Sequence, residues 1–175
     1  VWNACGLRIG GIVTDNQDYH KQAVSEYTAN LCANVIGQEI FGALAHESHY
    51  DLEKWYKRQR DYYRELMLPL RENLLNLIPG LIVTSPEAAI YFIIDFKDIC
   101  NDSFNAKDFV QFCALKGRVN IEGKDYTLLL APMAGFYSDQ NKGRTQMRVA
   151  MVEPMHIIDK MPQLLSELYN SYLQY

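Results

Sequence analysis

The sequence has few cysteines and no Cys-x-x-Cys pair. Cys5, Cys32, Cys100 and Cys113 stand far apart, so neither a zinc ribbon nor a dense disulfide framework is written here, and a reduced, cytoplasmic setting is expected. Long apolar runs are missing as well. Residues 88–94 and 128–131 stop far short of the ~20 residues a membrane helix needs, and no basic stretch precedes an apolar segment at the start, so neither a membrane partner nor a signal segment is expected. Positive charge is not in excess: seventeen Lys and Arg against twenty-one Asp and Glu give a net charge of −4, which argues against nucleic acid as a partner held by phosphate attraction. Internal repeats and low-complexity segments are lacking. There is no initiator Met before Val1, which reads as a chain that begins inside a longer gene product.

What is present suffices for a core. Apolar residues are 49% and charged residues 22% of 175 positions, which suits one globular domain or a piece of a larger one. Residues 9–14 are apolar and β-branched and predict a strand, with Asp15-Asn16 as turn or N-cap chemistry before a helix over residues 17–31. Val35, Ile36, Ile40, Phe41 and Leu44 predict a second helix over residues 33–45. The clearest helix spans residues 51–78, where Trp55, Tyr62, Leu66, Leu70, Leu74 and Ile78 form one stripe; Pro69 is expected to kink it and Pro79-Gly80 to stop it. Strands are predicted over residues 81–84, 90–96, 126–130 and 146–152. Asn105 and Gly117 bracket a helix over residues 106–116, residues 132–144 form an irregular loop, and residues 157–172 close the chain as one amphipathic helix. Helices first, then strands alternating with helices, predict an α+β unit or the tail of a large α/β domain joined to a small one.

Two arginines carry the chemical interest. Arg8 sits in the glycine-bounded segment Cys5-Gly6-Leu7-Arg8-Ile9-Gly10-Gly11, where a guanidinium with little bulk around it suits bidentate contact with phosphate or carboxylate; the alternative is an ordinary surface arginine at a strand edge. Arg148 lies inside the apolar strand Met147-Arg148-Val149-Ala150. A half-buried guanidinium there needs an anion, either a structural Asp or Glu, which is the commoner fate, or a ligand carboxylate. His46 and His49 bracket Glu47-Ser48 without a third metal ligand, and His20 and His156 stand alone, so no metal site and no histidine role is expected. The twelve tyrosines read mainly as packing.

Read together, Asn3-Ala4-Cys5-Gly6-Leu7-Arg8-Ile9-Gly10, Ala131-Pro132-Met133-Ala134-Gly135-Phe136-Tyr137 and Gly143-Arg144-Thr145-Gln146-Met147-Arg148-Val149-Ala150 resemble, in order and spacing, the C-terminal half of a class I/II pyridoxal-phosphate-dependent aminotransferase of fold type I. The resemblance covers essentially the whole chain. It implies an α/β fold: the C-terminal part of the large cofactor-binding domain (residues 1–50), a long interdomain helix (51–78) and an α+β small domain (79–175). It implies that Arg8 binds the phosphate of pyridoxal 5′-phosphate and that Arg148 binds the substrate α-carboxylate. In the family the Schiff-base lysine, in a Ser-x-Ser-Lys segment, precedes the phosphate arginine by eight positions, which places it immediately before Val1. The catalytic lysine is therefore expected outside the 175 residues, and these residues alone are expected to be inactive.

The resemblance further implies amino-acid and 2-oxo-acid substrates and a homodimer, and the segment around Ala131-Pro132-Met133-Ala134-Gly135-Phe136-Tyr137 looks more like bacterial aspartate-type aminotransferases than like decarboxylases. Residues 29–35 depart from the prolines and small residues common in relatives. Two other readings stand beside it: a pyridoxal-phosphate lyase of the same fold, and a non-catalytic interaction module that keeps the fold.

Overall fold

The computed structural model describes residues 4–30 and 34–175; Asn3, Leu31, Cys32 and Ala33, which the sequence analysis placed in a motif or at helix ends, lie outside the described residues. The chain divides into two compact units, Val1–Tyr56 and Lys57–Tyr175, and each is described by itself.

In the first unit, a short 3-10 turn over Cys5–Leu7 is followed by an irregular stretch and then by α1 (Gln17–Asn30) and α2 (Val35–Gly42). Asn16 starts α1 as expected, its side-chain oxygen accepting from the Tyr19 N–H at 2.9 Å and so satisfying one of the orphan donors of a first turn. Asn34 does the same for α2 through the Gly37 N–H at 3.2 Å. The strand expected over residues 9–14 is not formed. A strand needs a ladder partner, and no described residue pairs with this stretch. Of the second predicted helix, only Val35–Gly42 is α-helical; it tightens into a 3-10 turn over Ala43–His46, and its apolar residues Val35, Ile36, Ile40 and Phe41 are exposed.

Helix α3 (His49–Leu77) runs across the division between the units and continues unbroken through Pro69. In the second unit its stripe of Leu66, Met67, Leu70 and Leu74 is buried, as the period-four pattern requires. Gly80 ends the turn that follows with φ +86°, and a Cβ there would stand 2.5 Å from the Ile99 side chain.

The sheet of this unit is β1 (Ile82–Val83), β2 (Tyr91–Asp95), β5 (Ala131–Pro132) and β6 (Gln146–Ala150), ordered β1-β2-β6-β5 and antiparallel throughout. Its buried face carries Phe92 and Ile94 of β2 and Met147 and Val149 of β6. These join one core with α3, α4 (Ala106–Leu115) and α6 (Met161–Leu173), through Phe109, Cys113, Leu164, Leu165 and Leu168. Aromatic rings thicken this core: Phe96 lies 5.3 Å from Phe104 and 4.7 Å from Tyr169, in offset and tilted arrangements that ring quadrupoles favour. The opposite face of the sheet carries Tyr91, Ile93 and Arg148.

Three expectations are corrected here. The strand placed over residues 126–130 is not formed: residues 127–130 are irregular, and only Tyr126 lies in a strand, as the last residue of a hairpin of β3 (Val119–Ile121) with β4 (Lys124–Tyr126). Its turn is Glu122-Gly123, both with positive φ (54° and 79°), the backbone that matches strand twist. The loop over residues 132–144 is built from two 3-10 turns, Ala134–Phe136 and Gln140–Gly143. The closing helix is two helices, α5 (Met155–Ile158) and α6. Pro162 has no N–H to donate and its ring would strike the carbonyl one turn back, so the chain restarts with this proline in the first turn of α6.

Candidate functional site

Strand β6 sits between β2 and β5, and Arg148 is registered opposite Ile93 on one side and Ala131 on the other. Alternation along β6 sends Met147 and Val149 into the core and leaves Arg148 half-buried on the other face. Its guanidinium carbon lies over the Tyr91 ring, 4.5 Å from the centroid, and over the Phe136 ring at 5.0 Å. Both distances are within cation–π reach. Among the described residues no acid lies within ion-pairing distance of Arg148, and its Nε is buried without a hydrogen-bond partner. The structural Asp or Glu that a half-buried arginine ordinarily recruits is therefore not there. What remains is a fork of in-plane donors held by aromatic faces, which is the chemistry that binds a carboxylate.

The nearest buried acid on that face is otherwise engaged. Asp95, only 6% exposed, accepts from the Lys97 N–H at 3.0 Å, from Thr145 Oγ1 at 2.6 Å and from Gln146 Nε2 at 2.9 Å. Gln146 in turn accepts from Tyr137 Oη at 2.8 Å. Three donors satisfy the Asp95 carboxylate, and the chain Asp95–Gln146–Tyr137 ties β2, β6 and the Ala134–Phe136 turn together. Arg144, which shares the sequence motif with Arg148, is structural: its Nη1 donates to the carbonyls of Asp102 and Phe104, each at 2.7 Å.

The sequence singles out Arg148 as a candidate and gives no role to Tyr91, Phe136, Gln146 or Asp95. The polar positions in Gln146-Met147-Arg148 alternate visibly, and an Asp closing the apolar run Tyr91–Asp95 is itself a signal of a satisfied buried acid. The rings gave none, because their role depends on cross-strand register.

In the first unit, Arg8 has φ +54°, a left-handed conformation that costs a side-chain-bearing residue on the order of 1 kcal/mol and concentrates at functional positions. Its side chain is exposed. The backbone before it is pinned: the Leu7 N–H donates to the Ala4 carbonyl at 3.0 Å, and Asn34 Nδ2 donates to the Leu7 carbonyl at 3.3 Å. Gly37 allows this approach, since a Cβ there would stand 2.8 Å from the Leu7 oxygen and 2.9 Å from the Ile9 side chain. Gly10 and Gly11 face open space. The segment thus carries an arginine on a pinned, left-handed backbone flanked by glycines, and a guanidinium is a group that suits an anion such as phosphate.

Among the described residues no group of His, Cys, Asp and Glu could hold a metal ion, and no helix is long and apolar enough to cross a membrane. His20, His46, His49 and His156 are exposed.

No protein-family model and no curated protein matches the sequence. Solved structures do match. Kynurenine aminotransferase from Pyrococcus horikoshii, crystallised with PMP, is similar over 97% of this chain and 38% of its own, with 22% identity and a TM-score of 0.68. N-Succinyldiaminopimelate aminotransferase from Mycobacterium tuberculosis is similar over 75% of this chain and 30% of its own, with 17% identity and a TM-score of 0.55. The chain has the fold of part of a fold type I aminotransferase and spans well under half the length of these solved chains.

Proposed function

We propose that this chain is part of a pyridoxal-phosphate-dependent aminotransferase, an enzyme that moves an amino group between an amino acid and a 2-oxo acid. In this reading Arg148 holds the substrate carboxylate and Arg8 holds the cofactor phosphate. The observation that carries it is Arg148 itself: a half-buried guanidinium without an acid partner among the described residues, its Nε unsatisfied, on a fold shared with aminotransferases. With no acid on its in-plane donors, the guanidinium keeps its two-point hydrogen-bonding fork for a ligand carboxylate.

The donor set fits the cofactor as far as these residues reach. A phosphate group asks for fixed cationic and N–H donors, and Arg8 offers a guanidinium on a pinned backbone. Pyridoxal phosphate, when bound, supplies the electron sink for reactions at the substrate Cα. The protein's share is positioning. Arg148 fixes the carboxylate by two parallel charge-assisted hydrogen bonds and so restricts how the Cα is presented. Arg8 anchors the phosphate, and a lysine immediately before Val1 would carry the cofactor. A homodimer and an aspartate-type substrate range belong to the same proposal.

Product analysis on the full polypeptide tests it. Loaded with pyridoxal phosphate and mixed with aspartate or another amino acid, the protein yields the 2-oxo acid and pyridoxamine phosphate in equal amounts. An eliminated product without pyridoxamine phosphate identifies a lyase instead, and a full polypeptide that does not change its 330–430 nm absorbance on adding the cofactor is a non-catalytic relative.

A further inference from the structure

We infer that Tyr91 and Phe136 are positioning residues for Arg148, and that the segment around Met133–Gly143 is built to keep Phe136 in that place. The inference rests on the reading of Arg148 as a carboxylate-holding arginine and extends it to residues that touch no substrate themselves.

A long arginine side chain has many rotamers to lose, so a guanidinium waiting for a ligand must be held by something. An acid would hold it but would occupy the same in-plane N–H donors that a ligand carboxylate needs. Aromatic rings act on the cation through their faces and leave those donors open. Tyr91 and Phe136 provide two such faces, at 4.5 and 5.0 Å from the guanidinium carbon. Neither ring is a core residue: Phe136 is 57% exposed and Tyr91 41% exposed. An exposed phenylalanine gains little from packing, so the guanidinium contact accounts for its placement better than core burial does.

Tyr91 is fixed by the sheet, where it pairs with Ala150 on β6, two positions beyond Arg148. Phe136 lies in a loop and needs its own support, which the structure supplies at three points. The Met133 N–H donates to the Gln146 carbonyl at 3.0 Å, and the Phe136 N–H donates to the Met133 carbonyl at 2.9 Å, so the 3-10 turn hangs directly from β6. Tyr137, the next residue, is tied through Gln146 to buried Asp95. The third support is Gly143. A Cβ there would stand 2.6 Å from the Ala134 nitrogen and 2.6 Å from the Met133 carbonyl carbon, closer than atoms can approach, so the two 3-10 turns pack together only because residue 143 lacks a side chain. The atoms in the way are backbone of the turn that carries Phe136. Any substituent at 143 therefore moves that turn, and with it the ring over Arg148.

The test uses the full polypeptide, labelled with nitrogen-15, and succinate as the carboxylate probe, read from the Arg148 Nε–Hε signal and assigned with Arg148→Lys. Tyr91→Leu and Phe136→Leu each weaken succinate binding about 2- to 5-fold, the equivalent of one ring contact, whereas Tyr91→Phe and Phe136→Tyr stay within about twofold of the unchanged protein. Gly143→Ala reproduces the Phe136→Leu loss and adds nothing when combined with it, because both act through the same ring. Equal succinate affinity in all of these variants overturns the positioning role and leaves the carboxylate reading standing, and so does a Gly143→Ala loss that adds fully to that of Phe136→Leu. An Arg148 signal that does not respond to succinate in the unchanged protein, or binding that survives Arg148→Met intact, overturns the carboxylate reading and this inference with it.

Discussion

Replacing Arg148 by Met should cost the protein its carboxylate affinity and almost none of its stability. The Arg148 Nε is buried without a hydrogen-bond partner among the described residues, and an unsatisfied buried donor costs about 1–3 kcal/mol. The two ring contacts return about 0.5–1 kcal/mol each at a partly exposed site. These opposing contributions leave a net within about 1 kcal/mol of zero, and Met keeps the apolar stem against Tyr91 and Phe136 while removing the unpaired donor. Had Arg148 been one half of a buried ion pair, its loss would destabilise by about 3–5 kcal/mol. Urea unfolding followed by near-ultraviolet circular dichroism, which reports the Phe96, Phe104 and Tyr169 cluster of the same unit, separates the two cases. A midpoint unchanged or slightly raised in Arg148→Met is expected. A loss of 3 kcal/mol or more would mean instead that the chain itself supplies the anion.

Arg8→Ala is expected to raise the dissociation constant of pyridoxal phosphate about 10- to 100-fold, as loss of one guanidinium–phosphate contact does; retention of cofactor through dialysis as in the unchanged protein would make Arg8 merely structural. Ala89 has φ +62°, so Ala89→Gly relieves a left-handed backbone and raises stability by about 0.5–1 kcal/mol in urea unfolding; a lower midpoint would contradict this. Burial pushes the Cys113 thiol up from 9.0 to about 11. The folded protein then keeps a proton that the unfolded chain releases, so stability is fully present below pH 9 and falls as pH rises through about 11, by roughly 2–3 kcal/mol. Cys113→Ala flattens that part of the pH–stability curve, and an unchanged slope would show that Cys113 is not its source.

The parts of the fold that the sequence made legible are those whose pattern is local. The stripe of Leu66, Leu70 and Leu74, the Asn105 cap, whose side chain accepts from the Lys107 N–H at 2.8 Å, and the places of strands β2 and β6, though not their pairing, follow from local pattern and capping chemistry. Features that depend on partners were not legible. Residues 9–14 have strand composition but no ladder partner among the described residues, and composition cannot supply one. The Glu122-Gly123 turn was missed because the familiar signal at its first position is Asn or Asp, which tolerate left-handed backbone better than Glu. Arg148 was visible as a charge in an apolar strand, but whether an acid or a ligand would meet it depended on the register that sets Ile93 opposite it and Tyr91 beside it. The supporting role of Gly143 is a matter of two backbone segments in contact, which no periodicity encodes.

A crystal structure of the full polypeptide grown with succinate tests the role of Arg148 most directly. A succinate carboxylate is expected at about 2.7–3.1 Å from two Arg148 nitrogens, with the Tyr91 and Phe136 rings still over the guanidinium. Succinate bound elsewhere with Arg148 untouched, or Arg148 paired with an Asp or Glu of its own chain, would contradict that role.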